Sequence, residues 1–198
     1  MTIPPAVLVV VAYLLGSVSF AVLLVRAATG KDIRAEGSGN AGATNVLRAY
    51  GRKLALSVAL LDVAKGAAAV TLVRLVTADP FWAAAAGFAA ILGHVFPVFY
   101  GFRGGKGVAT AVGAFAVLAP LALLCSLAVF IALVAATRYV SLGSVVAMAL
   151  LPPVARLLFH APRAVVTAAA ATALLVLWKH LPNLKRLAHG EERKLGRK

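Results

Sequence analysis

Apolar runs long enough to cross a bilayer recur along almost the whole of this chain, and they constrain its fold more than any other feature. They lie at 4–26, 53–77, 81–101, 121–137, 140–159 and 164–180, with a shorter stretch at 108–118. A helix needs roughly 20 apolar residues to traverse the hydrocarbon core, and inside that core the backbone must satisfy its own hydrogen bonds. Of the 198 residues, 62% are hydrophobic and only 13% charged, too little polar side chain to cover a soluble domain of this size. The expected fold is all-α: a polytopic integral membrane bundle forming a single domain over 1–198. No low-complexity linker and no internal repeat divides it. The first run is too long, and too lightly charged at its start, for a cleavable signal peptide.

Charge orients the bundle. Net charge is +14, from 20 Lys and Arg against 6 Asp and Glu. In a soluble protein that excess would suggest nucleic acid. Here the bases flank apolar runs, so anionic headgroups and the positive-inside rule account for them, and no nucleic-acid partner is expected. Lys31, Arg34, Arg48, Arg52 and Lys53 crowd the loop after the first run, and Lys179, Lys185, Arg186, Arg193, Lys194, Arg197 and Lys198 crowd the tail. Both belong on the cytoplasmic side, whereas the links 78–80 and 160–163 are poor in bases and belong outside. An N-terminus outside and a C-terminus in the cytoplasm require an odd number of crossings. The expected count is therefore seven, with 108–118 as a short crossing that turns back near Ala119-Pro120. Arg103, Lys106 and Arg138 then also lie on the cytoplasmic side, leaving Arg74, Arg156 and Arg163 elsewhere. A crossing this short either thins the bilayer locally or sits inside the bundle. The single cysteine, Cys125, permits no intrachain disulfide and suggests neither a redox pair nor a zinc site.

Three polar segments interrupt the runs, and all carry residues suited to phosphate. In the first, Gly37-Ser38-Gly39-Asn40-Ala41-Gly42-Ala43-Thr44-Asn45-Val46-Leu47-Arg48, Gly37, Gly39 and Gly42 let the backbone approach a ligand closely. Successive backbone N–H groups in such a turn form an anion-binding concavity. Ser38, Asn40, Thr44 and Asn45 add hydroxyl and amide donors, and Arg48, near a helix start, adds a planar fork. The bland alternative is a flexible Gly/Asn turn with a positive-inside arginine. The segment is not a P-loop, since no Gly-Lys-Ser/Thr follows at the required spacing.

The second segment joins Gly93-His94-Val95-Phe96-Pro97 to Phe102-Arg103-Gly104-Gly105-Lys106-Gly107. Arg103 and Lys106 sit among glycines that a plain membrane-end anchor would not need. His94 is either a hydrogen-bonded structural residue or an acid–base group. Pro97 should free backbone groups nearby. In the third segment, Lys179-His180-Leu181-Pro182-Asn183-Leu184-Lys185-Arg186, His180 and Asn183 share a face if the helix continues past Pro182. The bases there can equally serve lipid headgroups. Ser141 and Ser144 mark another helix start at the same surface, Ser141 as an expected N-cap. Asp62 and Lys65, one turn apart inside a span, should pair and face inward.

Several chemistries are missing. Six acids in the whole chain offer no carboxylate cluster for Mg²⁺, so no metal and no cofactor is expected. No histidine has an aspartate five residues on: Phe99, Val165, Lys185 and Lys194 stand there. There is no Gly-x-Ser-x-Gly elbow either.

The chain resembles one family through most of its length. The residues that carry the likeness are those at 37–48, Leu61-Asp62-Val63-Ala64-Lys65-Gly66, those at 93–97 with Gly104-Gly105-Lys106-Gly107-Val108-Ala109-Thr110, Ser141-Leu142-Gly143-Ser144, and Lys179-His180 with Asn183. They resemble the bacterial membrane glycerol-3-phosphate acyltransferases that use acyl phosphate as donor. The resemblance implies transfer of a fatty acyl group to the 1-hydroxyl of sn-glycerol 3-phosphate, giving 1-acylglycerol 3-phosphate and phosphate, the first step of phospholipid synthesis. It implies a multi-pass protein of the bacterial inner membrane, a monomer among membrane lipids, with its site facing the cytoplasm. It assigns catalytic roles to Ser38, Lys106, His180 and Asn183. Substrate binding falls to Gly37, Gly39, Asn40, Gly42, Thr44, Asn45, Arg48, His94, Arg103, Gly104, Gly105, Ser141 and Ser144. The alternative from another class is an organic-phosphate transporter or flippase, which intramembrane Asp62 and Lys65 would suit but the missing repeat does not. A lipid-phosphate phosphatase with His94 or His180 as nucleophile would lack an evident acidic partner.

Overall fold

The computed structural model describes residues 3–196; Arg197 and Lys198 of the basic tail lie outside it. Nine α-helices and two single-turn 3-10 helices, and no strand, are found among the described residues. The chain clusters into two compact units, one running to Leu118 and the other starting at Ala119. The first unit holds α1 (Pro5–Gly16), α2 (Phe20–Thr29), α3 (Ala43–Tyr50), α4 (Arg52–Arg74), α5 (Pro80–Val95) and α6 (Val108–Leu118). The second holds α7 (Pro120–Thr137), α8 (Val140–Leu157) and α9 (Arg163–Ala188).

Six apolar helical stretches are long enough to cross a membrane: Pro5–Thr29, Arg52–Arg74, Pro80–Tyr100, Pro120–Thr137, Val140–Leu157 and Arg163–Ala188. They coincide with the runs expected from hydropathy. Local chemistry sets their ends. Proline opens α5 and α7, where a missing N–H costs nothing. Asp79 caps α5 by accepting from the Phe81 N–H at 2.9 Å. Gly30, at φ +72°, closes α2. Pro182 does not stop α9, which runs on to Ala188.

One expected run is broken. The stretch 4–26 is two helices, α1 and α2, separated at Ser17-Val18-Ser19. Both serines hold the interruption: the Ser17 hydroxyl donates back to the Tyr13 carbonyl at 2.9 Å, and Ser19 Oγ caps α2 at Val22. The break frees the Val18 carbonyl, which accepts a hydrogen bond from Lys65 Nζ at 2.7 Å.

The short stretch at 108–118 forms α6, whose 11 residues give about 16 Å of helix, far less than a bilayer core. It is packed within the first unit. Thr110, Ala111, Gly113, Ala114, Phe115 and Leu118 are buried. Small residues bring α6 and α4 nearly into backbone contact: a Cβ on Gly66 would collide with the Thr110 carbonyl, and one on Gly113 with the Val63 carbonyl. By contrast α7 buries only Ala122, Leu123 and Ser126 and presents leucines such as Leu121 and Leu124 outward, as a lipid-facing helix does.

Candidate functional site

The glycine-rich loop before α3 is built around one buried amide. Asn45, 2% exposed in the first turn of α3, accepts from the Ser38 N–H through Oδ1 at 3.1 Å. Its Nδ2 donates to the carbonyls of Glu36 at 2.9 Å and Ile33 at 3.3 Å. Gly37 lies in the left-handed region at φ +59°, and a Cβ there would sit 2.5 Å from Asn45 Oδ1. Asn45 therefore shapes the loop from below, while Ser38 and Gly39 are exposed and Asn40, Gly42 and Thr44 are half-buried above it. Arg48 is exposed about one turn on, in the last turn of α3.

This loop is tied to the second polar segment. Arg34 grips Asp32 with two nitrogens, Nη2 at 2.7 Å and Nε at 3.0 Å, and its Nη1 donates to the Tyr100 carbonyl at 2.9 Å. The hydrogen bond from Arg34 holds the Asp32 carboxyl below its ordinary pKa. Gly105 donates its N–H to the His94 carbonyl at 3.0 Å. A Cβ on Gly105 would strike His94 Nε2 and lie 3.0 Å from the Ala41 carbonyl oxygen. Only glycine lets the second loop pass between the His94 imidazole and the first loop. Gly105 and His94 are buried, Gly104 and Lys106 half-buried, and Arg103 is exposed. The structure thus brings 37–48, His94 and 104–107 together in the first unit. His94 also faces inward, its Nδ1 3.6 Å from Asp62 Oδ1. Asp62 and Lys65 pair as expected at 2.8 Å.

The second unit gathers another cluster. Ser141 is not the N-cap of α8, because the helix begins one residue earlier and its hydroxyl is used elsewhere. It donates to Glu192 Oε1 at 3.0 Å. Asn183 Nδ2 reaches the same oxygen at 2.7 Å, and Arg186 Nε reaches Oε2 at 2.9 Å. Because α9 continues through Pro182, His180 and Asn183 share its buried face. His180 Nδ1 lies 2.8 Å from the Val176 carbonyl. A carbonyl only accepts, so in this contact Nδ1 carries the proton and a neutral ring keeps its acceptor on Nε2. The Ser144 hydroxyl donates to the Val140 carbonyl at 2.8 Å.

Glu192 organises this cluster and was missed in the sequence. It is 6% exposed, on a tail that folds back so that the Leu195 N–H reaches the Arg138 carbonyl at 2.7 Å. Burial alone would raise its pKa, but the hydrogen bonds from Asn183, Ser141 and Arg186 together outweigh burial and hold it below the ordinary glutamate value. Its one sequence signal is an acidic pair, Glu191-Glu192, inside a strongly basic tail. Among the described residues, no three His, Cys, Asp or Glu side chains gather as a metal site.

Residues 6–190 match the family model described as glycerol-3-phosphate acyltransferase. The chain belongs to that family. The match begins in α1 and ends at Gly190, so it takes in every polar loop described above. Curated relatives carry the family name over nearly their full length. The protein from Shouchella clausii is 50% identical over 192 residues, covering 94% of this chain and 93% of its own. That from Geobacter sulfurreducens is 48% identical over 187 residues, covering 94% and 95%. Two solved structures of PlsY (YgiH), an integral membrane glycerol 3-phosphate acyltransferase, are similar as well. Its glycerol 3-phosphate form is 38% identical, covers 97% of this chain and 96% of its own, and has a TM-score of 0.90. Its lysophosphatidic acid form is 36% identical, with 97% and 95% coverage and a TM-score of 0.87. This acyltransferase-family chain is a multi-pass bacterial membrane protein.

Proposed function

We propose that the protein acylates the 1-hydroxyl of sn-glycerol 3-phosphate, with a long-chain acyl phosphate as donor, to give lysophosphatidic acid and inorganic phosphate. The observation that carries this reading is the 38% identity, over 97% of the chain, to a solved acyltransferase in its glycerol 3-phosphate form. The choice of donor rests on chemistry. An acyl phosphate is already activated. The substrate hydroxyl oxygen forms an ester bond to the acyl carbon as the acyl–phosphate C–O bond breaks. The departing phosphate keeps the electron pair and takes the hydroxyl proton. No protein nucleophile or strong base is then required, in keeping with a chain that has no Gly-x-Ser-x-Gly elbow and no histidine followed five residues on by an aspartate.

The protein's part is to hold two phosphate groups and stabilise the oxyanion that develops on the acyl carbon. Ser38, Asn40, Thr44 and Arg48, on a loop braced by Asn45, supply one phosphate site. Gly37, Gly39 and Gly42 contribute their backbone N–H groups there. Arg103, Gly104, Gly105 and Lys106, backed by His94, supply phosphate contacts from the second loop. In the second unit, His180 and Asn183 are the proposed catalytic groups and Ser141 and Ser144 the proposed substrate-binding ones. The charge asymmetry supports a site on the cytoplasmic face of the inner membrane. The protein acts there as a monomer with a single domain.

The test is turnover by purified protein in detergent micelles. Acyl phosphate and glycerol 3-phosphate should give lysophosphatidic acid with no membrane gradient, and acyl-CoA, which has no phosphate at the reacting carbonyl, should be a very poor donor. Turnover should survive exhaustive chelation. Vesicle uptake of the phosphate ester without any covalent product would favour a transporter instead.

A further inference from the structure

We infer that Asp62 and Lys65 are positioning residues for the Gly104–Gly107 loop, acting through His94 and through the break between α1 and α2. The inference rests on the reading of that loop as a phosphate site. Asp62 and Lys65 are 1% and 3% exposed, inside a helix long enough to span the membrane. Ionisable side chains at such depth are costly, and a buried pair adds little stability over well-packed apolar residues of the same volume. A purely structural need would therefore be met as well by leucines.

What this pair touches is specific. Lys65 Nζ donates to the Val18 carbonyl at 2.7 Å, the backbone group freed by the helix break, and lies 2.8 Å from Asp62 Oδ1. The same Asp62 oxygen is 3.6 Å from His94 Nδ1. The other side of the imidazole abuts Gly105, whose N–H bonds the His94 carbonyl. The break reaches the same loop by a second route. Ser17 Oγ accepts from the Val98 N–H at 3.4 Å, and the Tyr13 hydroxyl donates to the Phe96 carbonyl at 2.8 Å. Both contacts fall on the segment that leads from α5 into the glycine loop. Lys65 thus stabilises the break, the break fixes the exit of α5, and Asp62 sets the ring that the loop leans on.

Positioning makes a prediction that generic stabilisation does not. Loosening the loop weakens binding of the one phosphate substrate it holds and spares the other. In steady-state kinetics, Lys65→Met and Asp62→Asn should each raise the KM of one phosphate substrate about tenfold or more, with the other KM and kcat within about twofold. His94→Gln should show the same split. The double variant Lys65→Met/His94→Gln should raise that KM no further than the larger single change, because residues in one network are not additive. Equal rises in both KM values, unchanged KM values, fully additive effects, or loss of folded protein in Lys65→Met and Asp62→Asn together with wild-type KM values in His94→Gln would each overturn the inference. Absence of wild-type turnover with acyl phosphate defeats the donor assignment alone. Inorganic phosphate binding by calorimetry then replaces KM, with about tenfold weakening expected in the same variants and unchanged binding overturning the inference.

Discussion

Asn183 and Glu192 are joined by a 2.7 Å hydrogen bond that ties the end of α9 to the folded-back tail. With Ser141 and Arg186 on the same carboxylate, a residue far along the basic tail holds two of the polar groups expected to serve the reaction. Glu192→Ala should leave these donors without their acceptor and cost about 2 kcal/mol or more in stability, read as a fall in the thermal midpoint.

The same carboxylate carries a pH signature. Its folded pKa lies below its unfolded value, so its contribution is fully present above the ordinary glutamate range and is lost as pH falls through the depressed folded value. Acidification should therefore loosen the tail before it melts the helices. The Leu195 amide, which bonds the Arg138 carbonyl, should lose hydrogen-exchange protection first in acid. Protection that stays flat across that range would show that Glu192 does not anchor the tail.

Asn45 should matter through the loop and not through size. Asn45→Leu preserves bulk but removes the acceptor for the Ser38 N–H and the donor to Glu36 and Ile33. Each buried backbone group left unmatched costs about 1–3 kcal/mol. Turnover should fall at least tenfold while the protein remains folded, as loop groups rather than the core are affected.

Two glycines should respond in opposite ways to alanine. At Gly105 a methyl group meets the His94 ring and the Ala41 carbonyl, so Gly105→Ala should displace the loop and remove most activity. At Gly190, φ is +73° but no atom lies within 4 Å of the new methyl, so Gly190→Ala should cost about 1 kcal/mol of local backbone strain with turnover intact. Kinetic assays of the two variants beside their melting curves separate crowding from strain.

Arg48→Ala and Lys106→Ala should each lose about 2 kcal/mol or more of transition-state stabilisation if they hold phosphate, measured as kcat/KM. Arg48→Lys should not recover the full value, because a lysine cannot reproduce a bidentate guanidinium contact. Near-normal kcat/KM in both alanine variants would remove these residues from the site.

Orientation in the membrane is directly measurable. In a Cys125→Ala background, a cysteine at Asp79 should react with an impermeant thiol reagent added to intact cells, and one at Gly190 should not. Labelling of Gly190 from outside would reverse the charge-based topology of seven crossings.

The amino-acid sequence alone decides that this chain is a helical membrane protein, because six apolar runs meet a bilayer-length requirement that depends only on local composition. It also marks the glycine loops and the His180–Asn183 spacing, since a motif is a local pattern. Tertiary structure decides what each polar group does. Asn45 looks like a ligand donor in the sequence but spends its amide on loop backbone. Ser141 looks like a cap but serves a carboxylate 51 residues away. Glu192 has no local signal beyond its charge, because its burial depends on the tail folding back. The break at Ser17-Val18-Ser19 is equally hidden: two serines brace it locally, but the carbonyl it exposes is satisfied by Lys65, 47 residues from Val18. Hydropathy sums over neighbours along the chain, whereas a hydrogen bond needs two partners brought together in space, and only the folded packing of the helices supplies the second.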